Sequence, residues 1–109
     1  MNKQRRERIE RHKALKEWGR MIRERDRNKC QMCGETRLLN AHHIIPKELR
    51  ELSFEPMNGI SLCVRCHKWG MWSAHKNGFY FAGWLKINKP EQYKFLLNKV
   101  FIVLDEDKS

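Results

Sequence analysis

The sequence predicts a small α+β fold in which two short strands lie between helical ends. Apolar residues recur at three- and four-residue spacing near both ends of the chain, which is typical of helices. Two short apolar segments in the middle favour strands, and two Cys-x-x-Cys pairs bracket this middle part. Because 109 residues fit one domain, we expect a single domain over 1–109. Its expected parts are a helical arm (1–29), a cysteine-bracketed core (30–76) and C-terminal helices with a tail (77–109).

The charge balance indicates a polyanionic partner. The chain has 23 Lys and Arg against 13 Asp and Glu, a formal net charge of +10. Nucleic acid is the natural partner, although a basic protein that is merely soluble has the same composition. No segment is apolar enough for a membrane helix, and no apolar run follows the charged N-terminal residues, as it would in a secretory signal. We therefore expect no membrane partner and a cytoplasmic protein whose cysteines stay reduced.

The N-terminal arm combines a helical apolar stripe with a high density of charge. Between Lys3 and Lys29 there are twelve basic and five acidic residues. The apolar residues at helical spacing are Ala14, Leu15, Trp18, Met21 and Ile22. We expect Trp18 and Ile22 to dock this helix on the domain. The charged face either contacts a DNA backbone or is only solvated, and the two interpretations are compatible.

The middle of the chain predicts alternating short elements. In order, we expect a strand over 37–45, a loop over 46–57, a strand over 60–62 and a helix over 64–74. Pro46 ends the first strand because proline cannot continue the ladder of hydrogen bonds. Asn58-Gly59 is a turn signal before the second strand. Gly70 weakens the helix that follows without ending it.

The last third of the chain predicts helices and a polar tail. Aromatic residues crowd the segment 79–84, and Pro90 suits the first position of a further helix, where its missing N–H is not needed. Residues at helical spacing follow at Tyr93, Leu96, Leu97, Val100, Phe101 and Leu104. We expect the aromatic side chains to pack in the core rather than to form a base-stacking surface. The tail from Asp105 to Ser109 is expected to fray.

The four cysteines predict a structural metal site. They form two pairs, Cys30 with Cys33 and Cys63 with Cys66. Four thiolates at this spacing can surround one tetrahedral Zn²⁺, and a reducing compartment disfavours disulfides between them. We expect the binding energy of this zinc to stabilise a domain too small for a large core. The pattern alone does not predict catalysis, because many zinc ribbons bind nucleic acid without chemistry.

The segment between the cysteine pairs carries a further motif. It contains Ala-His-His-Ile-Ile-Pro at 41–46 and then Asn58, while His67 directly follows Cys66. His, Asn and His in this order, bracketed by Cys-x-x-Cys pairs, resemble the HNH endonuclease motif, also called the ββα-metal or His-Me finger. The resemblance covers roughly residues 18–76. It implies a ββα-metal finger with a four-cysteine zinc site, flanked by an N-terminal basic helix and C-terminal helices.

The resemblance implies a role for each residue of the motif. His43 would be the general base that activates water, since the pKa of histidine lies near working pH. His42 and His67 would hold one divalent ion, and Asn58 would fix the loop and orient His43. Taken singly, the two neighbouring histidines could be polar residues of an exposed strand, and Asn58 could be a turn residue. His67 could also replace Cys66 as a zinc ligand.

Two positions depart from the family pattern. Some members carry a third metal-binding histidine where this chain has Met71, and many carry a lysine where it has Gly70. The family pattern therefore does not identify the residues that contact phosphate. The candidates are Arg20, Arg23, Arg65, Lys68 and Lys76. His75 is eight residues beyond His67, about 12 Å along a regular helix. We expect His75 to be structural or to contact phosphate rather than to share an ion with His67.

The sequence thus predicts a metal-dependent DNA endonuclease that nicks DNA or cleaves both strands. Its cofactors would be structural Zn²⁺ and one catalytic divalent ion, which is Mg²⁺, Mn²⁺ or Ni²⁺. The alternative is a non-catalytic zinc module that binds nucleic acid, and a third class is a protein–protein adaptor using Trp69, Trp72 and Trp84. Small stand-alone HNH proteins also resemble bacteriophage nucleases, some of which act beside a packaging terminase. A phage origin and a terminase partner are expected by this analogy only.

Overall fold

The computed structural model describes residues 2–108. The chain divides into two compact units, Met1–Val64 and Arg65–Ser109. The first contains a long helix and a two-stranded antiparallel sheet, and the second contains a π-helical turn and two helices. The predicted α+β class is therefore confirmed, while the expectation of a single domain stays a prediction. None of the helices in residues 2–108 combines the length and the apolar character that crossing a membrane requires.

Helix α1 (Lys3–Arg25) is a basic helix that is anchored by its C-terminal half. It begins where the side chain of Asn2 accepts a hydrogen bond from the amide of Arg5. Residues 2–10 are exposed on every side. The buried residues of the helix are Trp18, Gly19 and Ile22. As predicted, the tryptophan and the isoleucine dock the helix, and they pack beside the sheet where a glycine leaves room for them.

The sheet consists of strands β1 (Leu39–His43) and β2 (Gly59–Cys63), which pair in antiparallel register. In this register His42 lies opposite Ile60, and His43 lies opposite the first residue of β2. Every residue of β2 is buried, whereas β1 is only partly covered. The two predicted strands are thus confirmed, although β1 is shorter than the segment 37–45.

The connection between the strands differs from the predicted turn. It contains two 3₁₀ turns, Arg50–Leu52 and Pro56–Asn58. Gly59 has a φ of −126° and continues directly into β2, so Asn58-Gly59 does not form a two-residue hairpin turn. The Asn58-Gly59 turn signal was misleading because the side chain of Asn58 forms hydrogen bonds inside the loop, as described below.

The segment after β2 also differs from expectation. Arg65–Trp69 form a π-helical turn, closed by a hydrogen bond of 2.8 Å from the Gly70 amide to the Arg65 carbonyl. A Cβ atom at Gly70 would lie 3.0 Å from that carbonyl oxygen, so the absence of a side chain favours this close approach. The prediction of a helix from Val64 to about Ala74 is right at its start and wrong at its end, because the hydrogen bonding widens to i+5 and gives way to turns after Trp69.

Helices α2 (Gly78–Asn88) and α3 (Pro90–Lys108) complete the second unit. Pro90 occupies the first position of α3, as predicted. Helix α3 continues through Asp105, so the expected fraying of the tail is wrong as far as Lys108, and Ser109 lies outside the described residues.

Helices α2 and α3 bury few of their apolar side chains. Among the described side chains of these helices, those buried are Phe81, Leu85 and Leu96. Phe79 is 94% exposed and Tyr80 is 42% exposed. The expectation that the aromatic residues pack in the core is therefore wrong for these two and for Phe101, because a pair of helices offers too little surface to cover every ring.

Candidate active site and zinc site

The four cysteines lie close together, as the sequence predicts. Their Sγ atoms all lie within 4.8 Å of one another, which identifies Cys30, Cys33, Cys63 and Cys66 as a group that could hold a metal ion. The Sγ atoms of Cys33 and Cys63 are 3.7 Å apart. A tetrahedron with Zn–S bonds of about 2.3 Å has edges of about 3.8 Å, so this separation fits a zinc site. It is far longer than a disulfide bond of about 2.05 Å.

The first cysteine pair sits in a tight turn that is joined to the sheet. The amide of Cys30 donates to the Glu35 carbonyl, and the amide of Gly34 donates to the Cys30 carbonyl, each at 2.8 Å. Gly34 has a φ of +83°, a conformation that glycine adopts without strain. The amide of Gln31 donates to the Ser61 carbonyl in β2 at 2.9 Å. The chain therefore supports the predicted zinc turn with its own backbone hydrogen bonds.

His43, the predicted general base, is held on two sides. Its imidazole stacks on the Trp18 indole, with ring centroids 3.9 Å apart and planes 14° from parallel. Its Nε2 lies 2.9 Å from the Ser53 carbonyl oxygen. Because a carbonyl only accepts hydrogen bonds, Nε2 carries the proton in the neutral ring and Nδ1 keeps the lone pair. Burial lowers the pKa of His43, which favours this neutral form.

The loop that presents the Ser53 carbonyl is braced from helix α1. The Ser53 hydroxyl donates to the Lys47 carbonyl at 2.7 Å and accepts a hydrogen bond of 2.9 Å from the Arg11 guanidinium. The same guanidinium lies over the ring of Phe54, 5.2 Å from its centroid. Sequence reasoning missed Ser53 and Arg11, because no local pattern links a helix residue to a loop about forty positions later.

Asn58 is fully buried and fastens both ends of the loop. Its Oδ1 accepts a hydrogen bond of 2.7 Å from the Ile45 amide, and its Nδ2 donates to the Ile45 carbonyl at 3.0 Å. Nδ2 also donates to the Leu52 carbonyl at 3.0 Å. The Asn58 carbonyl accepts from the Ile44 amide at 2.9 Å. The Asn58 side chain thus positions the backbone at Ile45, two residues after His43. Its hydrogen bonds to this part of the loop are made with backbone atoms.

The first residue of β2 must be small. A Cβ atom on Gly59 would lie 2.5 Å from Cζ2 of Trp18 and 2.7 Å from Cγ1 of Ile22. Its carbonyl accepts a hydrogen bond of 2.7 Å from Arg25 at the end of α1. The glycine therefore lets α1 approach the sheet closely enough for Trp18 to cover His43.

In the second unit, His67 and His75 form a pair. Their Nε2 atoms are 3.0 Å apart and their ring centroids 4.6 Å apart. The His75 amide also donates to the His67 carbonyl at 3.0 Å. The expectation that His75 is too far away to share an ion with His67 is wrong, because the π-helical turn and the turns after it fold the chain back. The sequence gives no periodic signal for this arrangement.

A second group of side chains could hold a metal ion. It consists of His42, His67 and His75, each of which offers one ring nitrogen within 4.8 Å of those of the other two. Burial, the neighbouring His75 and the positive charge of Lys68 lower the pKa of His67 to about 4. A neutral imidazole is the form that binds a metal, so the chemistry of these donors fits a divalent ion.

The predicted phosphate contacts differ in how their charges are used. Arg20 forms ion pairs with both Glu17 and Glu24 on the same helix, which offsets its charge. Arg65 and Lys68 are exposed on the π-helical turn, and the exposed Lys76 donates from its Nζ to the Trp69 carbonyl at 3.0 Å. Arg23 is partly buried beside Gly19 in α1.

Comparison with known families supports the resemblance. Residues 30–69 match the family model described as HNH endonuclease. The searches of curated proteins and of solved structures found no match. The matched segment contains both cysteine pairs and the whole His–Asn–His set, and its cysteine cluster fits a zinc-stapled HNH domain. The match indicates a nuclease-type or nucleic-acid-binding role.

Proposed function

We propose that the protein is a metal-dependent endonuclease that hydrolyses the phosphodiester backbone of DNA. The observation that carries this proposal is the environment of His43, which is stacked on Trp18 and bonded through Nε2 to the Ser53 carbonyl. Its neighbour in sequence, His42, belongs to a group of three histidines that could bind a metal. A module that only binds nucleic acid needs neither an oriented base nor a second metal site.

His43 is the catalytic residue in this proposal. With Nε2 donating to Ser53, its Nδ1 is the atom that accepts a proton from the attacking water. The lowered pKa keeps the imidazole neutral at pH 7, so it is ready to take that proton. Trp18 and Asn58 are positioning residues: the first fixes the plane of the ring, and the second fixes the loop that begins after it.

His42, His67 and His75 would hold the catalytic divalent ion. When bound, the ion would supply Lewis-acid stabilisation of the charge that develops on the phosphate and on the leaving oxygen. Imidazole donors suit Ni²⁺ better than Mg²⁺, which prefers oxygen ligands, so among the three predicted ions the donor set favours Ni²⁺. Cys30, Cys33, Cys63 and Cys66 would hold the structural Zn²⁺.

The phosphates on either side of the cleaved bond would be bound by cationic side chains. Arg65 and Lys68 flank His67 in sequence, and Lys76 follows His75, so all three accompany the proposed metal ligands. Arg23 is a further candidate on α1. Arg20 would contribute less because Glu17 and Glu24 already pair with it. A cytoplasmic location stays a prediction from the sequence, and a bacteriophage origin and a terminase partner stay predictions from the resemblance.

The proposal is tested by cleavage of supercoiled plasmid with zinc-loaded protein and added Mg²⁺, Mn²⁺ or Ni²⁺. We expect wild type to cut in at least one metal, and His43→Ala to cut at least about 100-fold more slowly. His12→Ala is the matched control, since His12 is exposed on α1, and it should cut like wild type. If wild type binds DNA in a salt-sensitive way but cuts in no metal, the protein is a zinc-containing binding module instead.

A further inference from the structure

The second unit presents an aromatic surface directly after the proposed metal ligand His67. Its residues are Trp69, Trp72, Phe79 and Tyr80, with exposed fractions of 69%, 58%, 94% and 42%. Large aromatic rings normally stabilise a fold by being buried in it. Four exposed rings within twelve residues therefore contribute little to the stability of the fold. Such a surface indicates a ligand.

Local contacts position part of this aromatic surface, namely the Trp72–Tyr80 pair and the backbone of Trp69. The rings of Trp72 and Tyr80 are in contact, with centroids 5.2 Å apart and planes tilted by 50°. The Tyr80 amide donates to Oδ1 of Asn77 at 3.0 Å, which fixes the start of α2. The ammonium of Lys76 donates to the Trp69 carbonyl at 3.0 Å. The turns between residues 70 and 77 therefore bring the rings of Trp72 and Tyr80 together and hold the Lys76 ammonium at the backbone of Trp69.

The charged residues within the chain segment that carries the aromatic surface have one sign. Lys68 and Lys76 are exposed and alternate with the rings along the chain. No Asp or Glu occurs between Glu55 and Glu91 in the sequence. Rings interleaved with cations and without acidic residues match the two parts of a single strand of nucleic acid, which are flat bases and charged phosphates.

We propose that the aromatic surface stacks on unpaired bases, and that the preferred substrate contains single-stranded DNA next to the cleaved phosphate. In a duplex each base is already stacked on its neighbours, so an exposed ring finds a free base face only where the strands are open. Lys68 and Lys76 would bind phosphates of the strand whose bases stack. The position of the cleaved bond rests on the proposed nuclease function, whereas the preference in binding does not.

The test measures binding without cleavage. Full-length, zinc-loaded protein is titrated, with no other divalent ion present, into a fluorescein-labelled single strand of thymidines and into a blunt duplex of equal length. The variant carries Trp72→Leu and Tyr80→Leu, which keep apolar bulk and remove the rings. The control is Phe101→Leu, which removes another exposed ring in α3, 57% exposed. A second variant, Trp72→Phe with Tyr80→Phe, keeps both rings.

We expect wild type to bind the single strand more tightly than the duplex. Loss of the two rings should weaken single-strand binding by roughly 10- to 100-fold, the range for lost base stacking, while the phenylalanine variant and Phe101→Leu stay near wild type. Duplex binding should change by less than about twofold, because it depends on phosphate contacts. Zinc content and circular dichroism show whether each variant is folded.

Two results would overturn the proposal. One is single-strand binding that is unchanged by Trp72→Leu with Tyr80→Leu. This result would leave a protein partner as the occupant of the surface. The other is an equal loss for single strand and duplex, which would assign the rings a structural role. Ring-dependent binding without cleavage in any metal would contradict the proposed nuclease and support the stacking surface. Metal-dependent cleavage of a blunt duplex, together with no effect of removing the rings, would support the proposed nuclease and contradict the stacking surface.

Discussion

The imidazole of His43 and the indole of Trp18 lie face to face, 3.9 Å apart and 14° from parallel. This stack connects a strand residue of the HNH motif to a basic helix that lies outside the matched family segment. Helix α1 is therefore part of the candidate active site as well as a carrier of positive charge. Substitutions that shift α1 should affect the site even where they touch no residue of the motif.

Gly59→Ala tests the close approach of α1 to the sheet. The new methyl group would lie 2.5 Å from Trp18, so the indole must move and the stack on His43 must open. We expect the free energy of unfolding to fall by about 1–3 kcal/mol, measured by urea titration, and cleavage to slow. Gly83→Ala is the control: nothing lies within 4 Å of its Cβ position, and in a helix alanine should stabilise by about 0.5–1 kcal/mol. A Gly59→Ala protein as stable as wild type would show that the contact is not tight.

Asn58 should be needed for folding before it is needed for chemistry. Asn58→Ala would remove the hydrogen bonds of its side chain to the Ile45 amide and to the carbonyls of Ile45 and Leu52, of which the Leu52 carbonyl keeps a bond of 3.3 Å from the Glu55 amide. We expect a loss of about 2–4 kcal/mol in the free energy of unfolding. Asn58→Asp should be no better, because a carboxylate cannot donate to the carbonyls of Ile45 and Leu52. Should Asn58→Ala unfold at the same urea concentration as wild type, the loop would not depend on this side chain.

Zinc should be required for the fold. Release with a thiol-modifying reagent and a colorimetric chelator should yield about one zinc ion per chain, and its removal should abolish cooperative unfolding. Cys33→Ser should lower the affinity for zinc most clearly, since Cys33 is exposed and its replacement disturbs little packing. Protein that keeps its circular dichroism and its thermal transition after complete zinc removal would contradict this prediction.

His75 should contribute to the catalytic metal site, although the family motif does not include it. Its Nε2 lies 3.0 Å from that of His67, so the pair can share one ion. His75→Ala should raise the Ni²⁺ concentration needed for half-maximal cleavage by roughly 10- to 100-fold, with less effect at saturating metal. Zinc content, which depends on the cysteines, should stay the same. An unchanged Ni²⁺ dependence would remove His75 from the ligand set.

The features that were best predicted from the sequence are those encoded by the periodicity or spacing of residues close together in the chain. The apolar stripe of α1, the two strands and the cysteine pairs follow from such patterns and were predicted correctly. The π-helical turn was not predictable, because a shift of one residue in hydrogen bonding leaves no trace in apolar spacing. The His67–His75 pair was missed for the same reason. Contacts such as Ser53 with His43 depend on loop geometry, as does the exposure of Trp69 and Trp72, and the exposed rings of α2 and α3 depend on how little surface two helices can cover.

The most direct test of the central claim is chemical rescue of His43→Ala by imidazole in the cleavage assay. If His43 is the base, the variant should cut at least about 100-fold more slowly than wild type, and added imidazole should restore part of the rate in proportion to its concentration. With and without imidazole, the His43→Ala variant should bind DNA and zinc as wild type does. A His43→Ala protein that cuts as fast as wild type without imidazole would contradict the assignment of this histidine and the active site built around it.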